Sequence, residues 1–145
     1  MFRRRRALFI AVPFVTLAAV IAMNQNARPD SKDAKQRVFE IRTYTTEPGK
    51  LSDLLKRFRE HTTKLFEKHG MTNIGYWVPT DEPLSKNTLI YVLAHTSREA
   101  AKQSWKDFQA DPEWIKVKAA SESNGKIVTK VESIFADPTD FSAIK

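Results

Sequence analysis

At Pro48-Gly49 the apolar pattern of this chain changes period from two to about 3.6, and that switch narrows the fold more than any other feature. Before it, Phe39, Ile41 and Thr43 alternate with Glu40, Arg42 and Tyr44, as in a strand that turns one set to each face of a sheet. After it, from Lys50 to His69, one helical stripe holds Leu51, Leu54, Leu55, Phe58, His61, Thr62, Leu65 and Phe66. The other face takes Lys56, Arg57, Arg59, Glu60, Lys64, Glu67 and Lys68, and Gly70 suits a left-handed helix end. The result is a strand, a tight corner and an amphipathic helix that must lie back on the sheet.

The same reading continues along the chain. Thr72–Val78 forms a second strand, closed by Pro79 and a polar loop over 80–86. Thr88–Ala94 is apolar throughout, as a strand buried on both faces requires. Thr96-Ser97-Arg98-Glu99 reads as a capping box with Thr96 at the N-cap, opening a helix that carries Ala101, Trp105 and Phe108 inward. Asp111-Pro112 restarts that helix, because Asp caps well and Pro suits the first helical position. Asn124-Gly125 then turns the chain into a last strand, Lys126–Phe135. The order β-α-β-β-α-β predicts an α+β, ferredoxin-like sandwich: a four-stranded antiparallel sheet with two helices on one face. The uncovered face is too apolar for water, so the expectation is a homodimer built on it.

The chain has 24 Lys and Arg against 17 Asp and Glu, but the surplus is not evenly spread. Residues 1–36 hold seven of the bases and two of the acids, leaving 17 and 15 for residues 37–145. So nearly neutral a domain lacks the footprint of a polyanion binder, which argues against nucleic acid as a partner. Arg3 to Arg6 followed by an apolar run to Met23 reads as a signal peptide or membrane anchor over 1–23. Residues 24–36 are polar and read as a disordered linker to the domain at 37–145. The expectation is export to the periplasm or cell envelope, with membrane contact only through the N-terminal segment where it is not cleaved. Cysteine is absent, which excludes disulfides and thiolate chemistry.

Several segments, taken in order, resemble the NIPSNAP domain family. They are Glu40-Ile41-Arg42-Thr43-Tyr44 with Pro48-Gly49-Lys50-Leu51, then His69 to Trp77, then Asn87 to Tyr91 with His95. Trp105, Phe108, Asp111-Pro112-Glu113-Trp114, Glu132-Ser133 and Pro138-Thr139-Asp140-Phe141 complete the series. The resemblance spans about 38–145 and implies the dimeric α/β-barrel superfamily, which includes small monooxygenases and haem-degrading proteins. Haem enters as a cofactor class through that analogy only, and the family brings no agreed catalytic set to transfer.

The candidate pocket residues are His61, His95, Trp105, Tyr76, Trp77, Arg42 and Tyr44. His61, on the apolar stripe, is expected to face the sheet, as a base, a proton donor, an axial haem ligand or a core histidine bonded to a carbonyl. His95 ends the third strand, where it either serves a site or bonds the corner. Tyr76 and Trp77 point to opposite faces, so one pocket takes only one of them. Indole and phenol groups orient ligands in mostly apolar pockets, and Trp105 and Tyr44 are placed for that. Glu40 and Arg42 form either an ion pair in the dimer interface or a site in which Arg42 holds a carboxylate or enolate. No histidine and carboxylate spacing makes a metal site. The reading is a small-molecule binder with its pocket between sheet and helices. The alternatives are a cofactor-independent or haem-linked monooxygenase-like enzyme and a non-catalytic interaction module of the cell envelope.

Overall fold

The computed structural model describes residues 37–145; the leader and linker calls lie outside the described residues. The elements are β1 (Val38–Thr46), α1 (Leu51–Arg57), a π-helical turn (Phe58–Thr62), α2 (Thr63–Lys68) and β2 (Thr72–Trp77). A short 3-10 turn (Leu84–Lys86) follows, then β3 (Thr88–His95), α3 (Arg98–Ala110), α4 (Pro112–Ser121) and β4 (Val128–Ala136). The four strands form one antiparallel sheet in the order β2-β3-β1-β4, the ferredoxin-like arrangement.

Register decides which side chains meet. Arg42 lies opposite Tyr91 on β3 and Ser133 on β4, and Glu40 lies opposite Leu93 and Phe135. These residues share one sheet face with Tyr44, Leu89 and Tyr76. Against that face Leu54, Phe58, Leu65 and Phe66 from the first helix and Phe108 from α3 close the core. Rings carry much of it: Phe58 makes edge contacts with Tyr44, Tyr91, Tyr76 and Phe66 at centroid distances of 5.2–6.0 Å. On the opposite face Ile41, Trp77 and Ile134 remain exposed. Trp77 lies over Gly75, where an added Cβ would come within 2.5 Å of the indole, so no larger residue fits there without moving the ring.

The first helix departs from ideal spacing at its middle. Between Phe58 and Thr62 it widens into a π turn. The hydroxyls of Thr62 and Thr63 donate to the carbonyls of Arg57 and Phe58, five residues back. Each residue of a π turn advances less around the axis, so His61 lies off the core face while Thr62 stays on it. Thr62 is 1% exposed. The His61 side chain is 45% exposed, with Glu60 3.9 Å away. His61 therefore does not face the sheet, which corrects the expectation from the stripe. Arg57, expected on the solvated face, is buried too: it lies between Leu54 and Phe58 at the edge of the core stripe, under Trp114.

The helix that follows β3 begins one residue later than the capping box suggested. Ser97, not Thr96, is the N-cap, and its hydroxyl accepts from the Ala100 N–H at 3.0 Å. Asp111 caps α4 as expected, accepting from the Glu113 N–H at 2.8 Å, with Pro112 in the first turn. It also ties the two halves of the helical layer together through Lys68 (2.8 Å) and His69 (2.7 Å). Those two contacts and the Glu113 N–H hold the Asp111 carboxyl well below the usual carboxylate range.

Candidate functional site

Two Arg–Trp–Glu groups stand between the sheet and the helices. The first is built on β1. Glu40 is 1% exposed, and both carboxylate oxygens are occupied. Oε1 accepts from Arg42 Nη1 and from the Ser133 hydroxyl, both at 2.6 Å. Oε2 accepts from Trp105 Nε1 at 2.7 Å and lies 3.1 Å from His95 Nε2. Burial alone would raise the Glu40 pKa, but the hydrogen bonds from His95, Ser133, Trp105 and Arg42 prevail and hold it at about 2. The carboxylate is therefore ionised at neutral pH, and His95 presents an Nε2–H to it. Burial opposes the charge of Arg42, yet Tyr44, Tyr91 and the bonded Glu40 together keep that guanidinium more firmly protonated than usual. Arg42 stacks on the Trp105 indole at 4.1 Å, and its Nη2 lies 3.5 Å from the Tyr44 hydroxyl. With four donors on four lone-pair sites, Glu40 has none left for a substrate proton. This group is a strut.

The second group lies at the other end of the helical layer. Arg57 packs over Trp114 at 5.4 Å, and its Nη1 donates to Glu122 Oε1 and Ser121 Oγ, both at 3.2 Å. The Arg57 side chain is 4% exposed and that of Glu122 is 21% exposed. Beside this group is a cavity of about 290 Å³, near the lower end of ligand pockets. Tyr44, Val128 and Val131 of the sheet form its floor, and Phe58, Phe66, Phe108 and Trp114 its walls. Arg57, Lys118, Glu122 and Lys126 add charge to this lining.

The sequence candidates are thus distributed over several places. Arg42, Tyr44, His95 and Trp105 come together around Glu40, on the helix-covered face; the Glu40–Arg42 pair is not on the uncovered face where a dimer interface was considered. Tyr44 also reaches the aromatic cavity. Tyr76, on the edge strand, packs partly buried against the core, stacked on Tyr91 at 5.5 Å, and burial raises its hydroxyl pKa well above the ordinary value. Trp77 is on the opposite sheet face and His61 on the outer side of the first helix, so neither lines that cavity. Sequence reasoning passed over Arg57, Trp114 as a site ring, Glu122 and Ser133. The adjacent hydroxyls of Thr62 and Thr63, which can draw helix carbonyls out of α register, were the signal for the π turn; Arg57 itself gave none.

Haem does not fit these residues. His61 opens on a polar basin with Lys50, Asp53, Lys56, Glu60 and Lys116; His95 and His69 are bonded to Glu40 and Asp111. None of the three is set against an apolar slot as an axial ligand.

Comparison with known proteins agrees with this architecture. A NIPSNAP family protein of unknown function from Agrobacterium tumefaciens shares 21% identity, with a TM-score of 0.66 over 77% of this chain and 96% of that one. A NIPSNAP-like domain protein from Burkholderia xenovorans shares 18% identity, with a TM-score of 0.64 over 74% and 90%. A monooxygenase from Streptomyces coelicolor, solved with nanaomycin D, shares 14% identity, with a TM-score of 0.54 over 80% and 99%. No curated protein matches the chain. The NIPSNAP family model matches residues 39–143, nearly the whole of the described fold, and the chain belongs to the NIPSNAP family.

Proposed function

We propose that this protein binds a small organic molecule in the cavity between sheet and helices. The observation that carries the reading is the cavity itself: about 290 Å³, walled by aromatic rings and supplied with a few charged groups at one side. Pockets of that composition gain affinity from apolar burial and orientation from few polar contacts. Filling the space with Val131→Trp and titrating a panel of small aromatic compounds by calorimetry tests it. Binding to the wild type that is lost in the filled variant supports the reading; equal binding by both contradicts it.

A second reading, in which the bound molecule is also oxidised, is favoured by the fold shared with the S. coelicolor monooxygenase. In that case Glu40 is not the base, because its lone pairs are all engaged. Two further parts of the proposal concern assembly and location. The exposed Ile41, Trp77 and Ile134 support a homodimer through the uncovered sheet face. Light scattering of the wild type and of Ile134→Asp checks it, a dimer becoming a monomer. The basic and apolar leader supports export to the cell envelope, which fractionation and N-terminal sequencing of the mature protein will check.

A further inference from the structure

We infer that the cavity selects an organic acid, a small molecule with an apolar ring and a carboxylate, and that Arg57 is the residue that holds the carboxylate. The inference rests on the proposed binding cavity and names its ligand class. A buried guanidinium requires an anion and partners for its N–H groups, and Arg57 is incompletely supplied. Its only anionic contact among the described residues, Glu122 at 3.2 Å, goes to Nη1 and comes from a side chain partly open to solvent. Nε is buried and has no hydrogen-bond partner. The Nε and Nη2 edge, the fork that matches a carboxylate in two parallel bonds, is therefore unused.

The lining agrees with that assignment. Arg57, Lys118 and Lys126 bring three positive charges against the single Glu122, and the remaining walls are mainly rings. Lys118 and Lys126 are exposed, so they attract an anion without fixing its orientation. Trp114 covers the guanidinium, which keeps it flat and in place. A neutral molecule of the same shape would fill the rings and leave Arg57 as it is. A carboxylate would complete it. Glu122 then has a definite part: it is the internal anion that an incoming acid must match or displace.

Calorimetry with 2-naphthoate and its uncharged counterpart 2-naphthylmethanol, at 0.15 M salt, tests this on the wild type, Arg57→Gln and Glu122→Gln. The expected result is that the wild type prefers the acid by about tenfold or more, the scale of one charge-assisted hydrogen-bonded contact. Arg57→Gln should lose that preference while binding the alcohol as before, and Glu122→Gln should bind the acid several-fold more tightly. Glu122→Gln keeps the question open to test should Arg57→Gln fold poorly. Equal affinity of the wild type for both compounds, preference retained in Arg57→Gln, or no gain in Glu122→Gln would overturn the anchoring role and leave the cavity reading standing. No binding of either compound to the wild type would overturn the cavity reading itself, and this inference with it.

Discussion

Arg42–Trp105–Glu40 and Arg57–Trp114–Glu122 use the same three residue types between the same sheet and helices, yet they do opposite things. In the first, the ion pair is 2.6 Å long and the ring contact 4.1 Å, and Glu40 is sealed from solvent by four donors. In the second, the corresponding distances are 3.2 and 5.4 Å, Glu122 is at the rim, and a cavity lies alongside. Both guanidinium groups leave a buried Nε without a partner among the described residues, so the arginines alone do not separate them. The carboxylates and the surroundings do. Glu40, with every lone pair occupied, fixes three elements in place and has no capacity left for a ligand. Arg57 lines an aromatic cavity that Arg42 does not reach, and its carboxylate partner is partly open to solvent.

The largest expected effect follows from removing the strut's centre. Glu40→Ala would leave Arg42 buried without its counterion and strip acceptors from His95, Trp105 and Ser133. Breaking a buried pair in this way costs about 3–5 kcal/mol, to be read from urea unfolding. The same truncation at the rim, Glu122→Ala, should cost less, about 1–3 kcal/mol, because Glu122 is partly solvated but is the anion beside buried Arg57. Equal losses at the two sites would erase the distinction drawn between them.

Acid should sharpen the same contrast. The Glu40 pKa is about 2 in the fold against a reference value of 4.5, so the folded state binds this proton less readily than the unfolded chain. The stability it contributes is therefore present above about pH 5 and is lost as the pH falls towards 2. The shift corresponds to about 3 kcal/mol. Asp111 is lowered in the same direction and adds to the acid sensitivity. In Glu40→Gln the part due to Glu40 should vanish, leaving a shallower pH profile in thermal melting; a profile superimposable on the wild type would contradict the assignment.

A smaller effect is expected at the π turn. Thr62→Val keeps the shape but removes the hydroxyl that donates to the Arg57 carbonyl. A loss of about 1 kcal/mol is expected, together with weaker acid binding, because Thr62 lines the cavity and holds the Arg57 carbonyl. Unchanged acid affinity would show that the turn is not needed to place Arg57.

These positions also show what could be read from residues alone. The strand and helix periods, the Pro48-Gly49 corner, the Asp111-Pro112 break and the order of elements are local signals, and they sufficed for the fold. His61 was misplaced because a uniform helical period assigns both His61 and Thr62 inward, whereas one widened turn keeps only Thr62 there. The N-cap fell on Ser97 rather than Thr96 because either hydroxyl satisfies the pattern and only backbone geometry chooses. Glu40, Arg42 and Tyr44 were visible as a stripe on one strand. Their partners His95, Trp105 and Ser133 lie 55 to 93 residues further along and meet Glu40 only through sheet register and helix docking. Arg57 was hidden among the charges of a solvated face, since neither burial nor an idle donor can be seen in a sequence.

The central claim is that the group beside the aromatic cavity, and not the strut around Glu40, receives the ligand. A crystal structure of the protein with bound 2-naphthoate tests this most directly. The account predicts density for the ring between Phe58, Phe108 and Trp114, with the carboxylate on the Nε and Nη2 edge of Arg57 and the Glu40 contacts unchanged. Density for the acid on Arg42 in place of Glu40, or at the uncovered sheet face by Trp77, would contradict it.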